Sequence, residues 1–158
     1  MGLERVPGYG YYQAKLEQEV AARSGPLPVS IVRATQFHEF PAQILARTQK
    51  GPFAVAPRMK IQPIAARAVG ETLVDVATIP ARPPTVEVAG PEPADLVDLA
   101  RALIAHRGQR VAVIALCIPG AAGKSMNGGA LIPTPDVRTI GPTFTQWLES
   151  PDSAPSKN

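Results

Sequence analysis

The sequence predicts an α/β protein, because helical and strand-like segments alternate along the chain and prolines separate them. Eighteen prolines occur among 158 residues, about twice the average frequency of this residue. They fall mostly between the periodic segments, where proline ends helices and cannot donate a hydrogen bond in a central strand. Apolar residues make up 45% and charged residues 18% of the chain, as in ordinary globular proteins. One folded domain over residues 1–149 is therefore expected.

The clearest element is a helix over residues 95–107. Apolar residues recur there at helical spacing from Leu96 to Ile104, Asp95 is a suitable N-terminal cap, and Gly108 follows the last turn. The same criteria predict the remaining elements. Helices are expected over 9–24, 37–45, 69–77 and 143–149, and strands over 28–34, 53–57, 59–64, 86–88 and 111–118.

The strands over 28–34 and 111–118 are rich in apolar and β-branched residues, so both are predicted to be buried. Cys117 lies inside the second of them, which predicts a buried and unreactive thiol. The last residues, 150–158, are polar and have nothing to bury, so a disordered tail is expected there.

Charge and composition exclude several classes of function. The net charge is +3, but the lysines and arginines are scattered singly along the sequence, so no nucleic-acid partner is predicted. No apolar run approaches the roughly 18 residues of a membrane span, and no signal peptide is apparent, so a cytoplasmic location without membrane contact is expected. A metal site is not expected, since Cys117 is the only cysteine and His38 and His106 are far apart.

Tyr11 and Lys15 are candidate catalytic residues, because a spacing of four places both on one helical face. An ammonium group beside a phenol favours the phenolate, and such a tyrosine can exchange a proton with a carbonyl or an alcohol. An amphipathic helix with a surface lysine has the same pattern, so the spacing alone leaves both interpretations open.

Residues 120–125, GAAGKS, resemble the end of a phosphate-binding P-loop. The full motif requires a glycine five residues before Gly123, and Ile118 occupies that position. Only 33 residues follow Ser125, and no apolar strand ending in aspartate is available to bind magnesium. We therefore interpret this stretch as a coincidental match.

Polar residues follow the strand over 28–34, including Thr35, Gln36, His38 and Glu39. Ligands of open α/β sheets bind beyond the carboxyl ends of the strands. This segment is consequently either an ordinary loop or the wall of a pocket.

Several stretches taken in order resemble the second half of the NmrA-like, atypical short-chain dehydrogenases/reductases. The resemblance covers residues 2–148, and its most specific parts are YYQAK, IVRATQF and IQPI. It extends more loosely through GPEPADLVDLARALIAHRG, IPGAAG and TFTQWL. It implies an incomplete Rossmann-type parallel sheet made of the late strands, with a small C-terminal α/β lobe on the substrate side.

The resemblance also implies an NAD(P)-dependent oxidoreductase that acts on a small molecule. Tyr11 would then handle the substrate proton, and Lys15 would contact the nicotinamide ribose. The other implied site residues are Ala34, Thr35, Gln36 and Phe37 for the cofactor, and His38, Phe40 and Gln62 for the substrate.

The glycine-rich turn that seats the dinucleotide pyrophosphate in this family has no counterpart in the sequence. A truncated chain is therefore expected, which would bind NAD or NADP weakly or not at all and could self-associate through an uncovered sheet edge. The alternatives are a non-catalytic, dinucleotide-sensing regulator of the NmrA type and an inactive fragment.

Overall fold

The computed structural model of this protein describes residues 10–154 and, except for the side chain of Tyr12, their side chains. The predicted α/β class is confirmed. The described residues form six α-helices, at Gly10–Arg23 (α1), Phe40–Thr48 (α2), Ala66–Thr78 (α3), Leu96–His106 (α4), Gly120–Asn127 (α5) and Phe144–Leu148 (α6). They form seven strands, at Ile31–Ala34 (β1), Phe53–Pro57 (β2), Lys60–Ile61 (β3), Thr85–Ala89 (β4), Ala94–Asp95 (β5), Ala112–Leu116 (β6) and Arg138–Thr139 (β7).

The strands form three small sheets. One is parallel with the order β1-β4-β7, and Ile31 to Ala34 pair in register with Thr85 to Val88. The second consists of β2 and β6, which are also parallel. The third is the short antiparallel pair of β3 and β5. Parallel neighbours that are distant in sequence require crossover connections, and α2 to α4 lie within these connections.

The core lies where α4 meets α2, β2 and β6. The inner side of α4 contributes an uninterrupted apolar surface, with Leu96, Ala100 and Leu103 almost entirely buried. The predicted caps are present: the Asp95 carboxylate accepts a hydrogen bond from Val97 N at 2.8 Å, and Gly108 has a φ of +62°, a value that suits glycine.

Three burial predictions are wrong. β1 is only half-buried along its length, and residues of β6 alternate between exposed and half-buried. The thiol of Cys117 is exposed rather than buried. The physical reason is the same for β6 and Cys117. β6 belongs to a two-stranded sheet of which only one face packs against the core. A run of apolar residues in the sequence does not reveal how many faces of a strand are covered.

Part of the segment that we assigned to the tail is folded. Pro151–Ser153 form a 3₁₀ turn, and Asp152 accepts two hydrogen bonds from the Arg67 guanidinium at 2.7 and 2.8 Å. These bonds lower the pKa of the Asp152 carboxyl. Residues 155–158 lie outside the described residues, and so do residues 1–9.

Among residues 10–154, no helix is long and apolar enough to cross a bilayer.

Candidate functional site

Four chain segments cross beyond the carboxyl ends of β1 and β4. Thr35 N donates to Val88 O at 3.3 Å. His38 N donates to Ile64 O at 3.0 Å, and Ile64 N donates to Gln36 O at 2.9 Å. Ile140 N donates to Ala89 O at 2.9 Å. Residues 34–40 and Gln62, predicted from well-separated stretches of sequence, are therefore held at one end of the parallel sheet.

Gln62 and Gly90 tie two of these segments together. The Gln62 side chain is buried, and its Nε2 donates to Gly90 O at 2.7 Å. A Cβ atom on Gly90 would overlap the carbonyl group of Pro63, so only glycine permits the backbones to approach so closely. The amide of Gln62 therefore has a structural partner whatever else it binds.

His38 is completely buried at the centre of the crossing. Its Nε2 lies 3.1 Å from Pro142 O, and since a carbonyl oxygen can only accept, Nε2 carries the proton. The rings of Phe144 and Trp147 enclose the imidazole at centroid distances of 5.5 and 5.4 Å. His38 can therefore reach a ligand only through Nδ1.

Four side chains within residues 35–39 each contain a buried polar atom. In the part of the chain that the structure describes, none of these four atoms has a hydrogen-bond partner. A buried polar atom without a partner costs about 1–3 kcal/mol, so a cluster of them is an exceptional feature. The atoms are Thr35 Oγ1, Gln36 Oε1, His38 Nδ1 and Glu39 Oε2.

The predicted apolar contacts lie at the rim of this cluster. Phe37 forms an isolated bridge with Ile64 and leaves 41% of its side-chain surface exposed, whereas Ala34 and Phe40 are half-buried. Phe37 thus offers an exposed aromatic surface next to the polar atoms.

The predicted catalytic pair lies on α1, and both side chains are exposed. Lys15 Nζ donates to Gln18 Oε1 at 3.0 Å and lies over the ring of Tyr11, 5.9 Å from its centroid. The ammonium group therefore faces the ring of the phenol, an arrangement that cation–π attraction favours.

Ion pairs that the sequence did not reveal attach α1 to the sheet. Arg33 in β1 contacts Glu19 of α1 at 2.7 Å and Glu87 of β4 at 3.2 Å, and Arg23 Nη2 donates to Thr85 Oγ1 at 2.7 Å. The spacing of four between Glu19 and Arg23 would equally fit an exposed pair within the helix. A charged residue at Arg33, within an otherwise apolar strand, was the one available signal.

These contacts show in which direction α1 runs along the sheet. Arg23 lies beside the start of β4 and Glu19 beside Arg33, so α1 runs antiparallel to β1. From Glu19, α1 therefore continues through Lys15 towards the end of the sheet at which Thr35 lies.

A cavity of about 270 Å³ borders this region, because Glu39 and Trp147 contribute to its wall. A larger cavity of about 480 Å³ lies beside Pro28 and Val29, at the amino end of β1 and away from every predicted residue. Its position excludes it from the site described here. In the described ranges no cluster of histidine, cysteine, aspartate and glutamate could hold a metal ion.

The GAAGKS stretch is helical rather than a phosphate-binding loop. It lies within α5, and a Cβ atom on Gly123 would overlap the carbonyl group of Ile118. The missing Cβ of Gly123 therefore serves close packing of the chain on itself, and its surface is closed to a phosphate.

Comparison with the known protein families gives no match for this sequence, and comparison with characterised proteins finds no relative.

Burial lowers the pKa of His38, and the hydrogen bond to Pro142 opposes this shift only in part. The unfolded chain takes up a proton below the ordinary value of 6.5, whereas the folded protein resists protonation, so stability falls as the pH drops below that value. We expect the melting temperature to fall from about pH 7.5 to about pH 5.5, and to fall less in His38→Gln.

His106 is exposed on α4, so His106→Gln is the matched control and should keep the parent's pH dependence. An equal pH dependence in His38→Gln and the parent would show that His38 is not the titrating group.

Proposed function

We propose that this chain contributes the substrate-side part of an NAD(P)-dependent oxidoreductase-like protein, similar to the NmrA-like atypical short-chain dehydrogenases/reductases. One observation carries the proposal: the cluster of buried, unpartnered polar atoms at Thr35, Gln36 and His38. It lies beyond the carboxyl ends of parallel strands, where α/β sheets bind their ligands. In this proposal, β1 and β4 are late strands of a Rossmann-type sheet.

The cluster suits a nicotinamide ring. The carboxamide of that ring presents donors and an acceptor, which the Oε1 of Gln36 and the hydroxyl of Thr35 can match. Phe37 would cover the ring with its exposed face, next to the backbone of Ala34. NAD or NADP, when bound, supplies the capacity to transfer a hydride.

The chain's own contribution to the chemistry would be proton transfer. Tyr11 would donate its hydroxyl proton to the oxygen of a substrate carbonyl, or accept one from an alcohol in the reverse direction. Lys15 would stabilise the negative charge left on the phenolate oxygen. The direction of α1, which runs from Glu19 towards the Thr35 end of the sheet, supports this assignment.

The substrate would be a small molecule held beside the same segments. His38 Nδ1 is an acceptor and would take a hydrogen bond from a substrate hydroxyl, and Phe40 would contribute an apolar contact. The oxygen of the Gln62 amide would face the substrate while Nε2 remains on Gly90. A cytoplasmic location and the absence of nucleic-acid and membrane partners remain part of the proposal.

A non-catalytic, dinucleotide-sensing regulator is the second candidate. The position of Lys15 favours it, because the ammonium group donates to Gln18 and lies over the ring of Tyr11. In that case the polar cluster would bind the dinucleotide, and no proton would be exchanged at Tyr11.

The outer edge of β1 provides a surface through which two copies of the chain would associate. Within residues 10–154, β4 is the only strand that pairs with β1, so the backbone groups of Val32 and Ala34 face outwards. Self-association through this edge is part of the proposal. Weak dinucleotide binding is also part of it, because the sequence has no counterpart of the glycine-rich turn that seats the dinucleotide pyrophosphate.

We expect weak binding that is localised to the polar cluster. In a titration of the ¹⁵N-labelled protein with nicotinamide mononucleotide and with NADPH, amide shifts should change at Thr35, Gln36 and His38. Thr35→Val should reduce the affinity by about three- to tenfold, the value of one hydrogen bond to a buried partner.

Thr139→Val, at an exposed position in β7, is the control and should bind like the parent. Shifts that avoid residues 34–40 altogether would exclude this segment as the nicotinamide site.

A further inference from the structure

The parallel pair of β2 and β6, here named the ribbon, has one covered and one uncovered face. Ala54 and Ala56 of β2 point inwards and are almost completely buried. On the opposite face Phe53, Ile114 and Leu116 are 55%, 52% and 53% exposed. Large apolar side chains that lie together in water are typical of interaction sites.

The outer edge of β2 is closed by the chain itself. Lys50 and Phe53 exchange two backbone hydrogen bonds at 2.8 and 3.2 Å. The hydroxyl of Thr48 donates to Val55 O at 2.8 Å and accepts from Val55 N at 3.3 Å, and Pro57 has no N–H group to offer. No further strand can pair with the ribbon on this side.

The outer edge of β6 is open. The backbone groups of Ala112 and Leu116 bond to the β2 side, so those of Val113 and Ala115 point away from β2. In the described segments, the N–H groups of Val113 and Ala115 have no partner, and Val113 O accepts only a long bond of 3.5 Å from Arg101. The ribbon therefore presents an open strand edge beside an apolar face.

Basic residues also flank the ribbon, and two others in the neighbouring segments, Arg67 and Arg101, are paired with Asp152 and Asp98. Segments 40–70 and 99–135, which contain its two strands, hold nine lysines and arginines and not one aspartate or glutamate. Lys50 and Arg110 precede the strands, and Arg58 follows β2. Two copies of the ribbon would place like charges together, whereas an acidic partner would be attracted.

We propose that the ribbon is the docking site for an extended, acidic segment of another protein. The segment would add to β6 as a third strand, with main-chain hydrogen bonds to Val113 and Ala115. Alternate apolar side chains would cover Ile114 and Leu116, and glutamates or aspartates at its ends would meet the basic residues. An anionic membrane would match the charge and the apolar face, but it would leave the backbone groups of β6 without partners, so the open edge favours a strand.

The probe is a fluorescein-labelled peptide of alternating valine and threonine with two glutamates at each end, titrated with the 158-residue protein by fluorescence anisotropy. We expect saturable binding that the Ile114→Thr/Leu116→Thr double variant weakens at least about tenfold, because its apolar contacts are lost. Methylation of alternate backbone amides of the peptide should weaken binding to a similar extent.

Leu73→Thr is the matched control, because Leu73 is a similarly exposed residue on α3; it should bind the peptide like the parent. The charge reversal Arg58→Glu/Arg110→Glu provides a second test that is independent of the apolar face. It should reject the glutamate-flanked peptide and accept one flanked by lysines.

Three results would overturn the proposal. The first is equal affinity for the methylated and unmethylated peptides, since no strand would then be added. The second is binding to phosphatidylserine vesicles without binding to the peptide. The third is a dimer that Ile114→Thr/Leu116→Thr dissociates, because the occupant would then be a second copy. Circular dichroism of each variant should match the parent.

Discussion

Gly90→Ala is expected to lower the free energy of unfolding by about 3 kcal/mol or more, the upper range for overpacking a rigid interior. The added Cβ atom would overlap the carbonyl group of Pro63 and lie 3.1 Å from Ile64 N. Both neighbours are backbone groups, so they cannot move aside as a flexible side chain could. The shift would also strain the bond from Gln62 to Gly90 O. Urea denaturation followed by circular dichroism measures the loss.

Gly70→Ala is the matched control for that measurement. Gly70 lies in α3, and a Cβ atom there would meet nothing within 4 Å. Alanine in a helix interior is more favourable than glycine by about 0.5–1 kcal/mol, so this variant should be as stable as the parent or more stable. A Gly90→Ala protein with the parent's denaturation midpoint would mean that the two backbones do not cross at this distance.

In a complete version of this protein, Tyr11→Phe is expected to abolish most oxidoreductase turnover while cofactor affinity stays nearly unchanged. The substitution removes only the hydroxyl group that we propose as the general acid, a loss that typically lowers the rate by about 10²–10⁴-fold. The measurement is the rate of NADPH oxidation with a panel of small carbonyl compounds, accompanied by the NMR titration described above. Turnover should fall, and the shifts at Thr35 and Gln36 should remain.

Gln13→Ala is the control, because Gln13 is another exposed residue of α1. This substitution should leave turnover unaffected. Activity of Tyr11→Phe equal to that of the parent would rule out the catalytic role of Tyr11. A protein that binds NADPH at the polar cluster but oxidises it with no carbonyl compound would instead support the regulatory candidate.

Five of the six described helices followed from short-range patterns in the sequence, and α5 was not predicted. The helix predicted over 95–107 is Leu96–His106, and the one over 9–24 is Gly10–Arg23. Periodicity and caps are sufficient for this purpose, because helical hydrogen bonds and capping contacts join residues at most four apart. The final helix shows the same, since Thr143 and Gln146 form a reciprocal capping box.

The candidate site was predictable only in part. The position of residues 34–40 beyond a strand left an ordinary loop and a pocket wall equally open, and the structure adds the buried, unpartnered polar atoms there. The Arg33 contacts that attach α1 to the sheet were not predicted, since Glu19 and Glu87 are 14 and 54 residues away from Arg33. Contacts over such separations leave no periodic signal.

The sequence by itself determined the α/β class and the order of the longer elements, because these depend on neighbouring residues, whereas α5, β5 and β7 were not predicted. Only the tertiary structure decided which surfaces are covered. The apolar run at β6 has one face in water, because α4 packs against only the other face of the sheet that β6 forms with β2. Basic residues that look scattered in the sequence come near one another at the ribbon, because Lys50, Arg58 and Arg110 lie next to the ends of its two paired strands. Burial and charge clustering depend on contacts between distant segments, which the chain acquires only by folding.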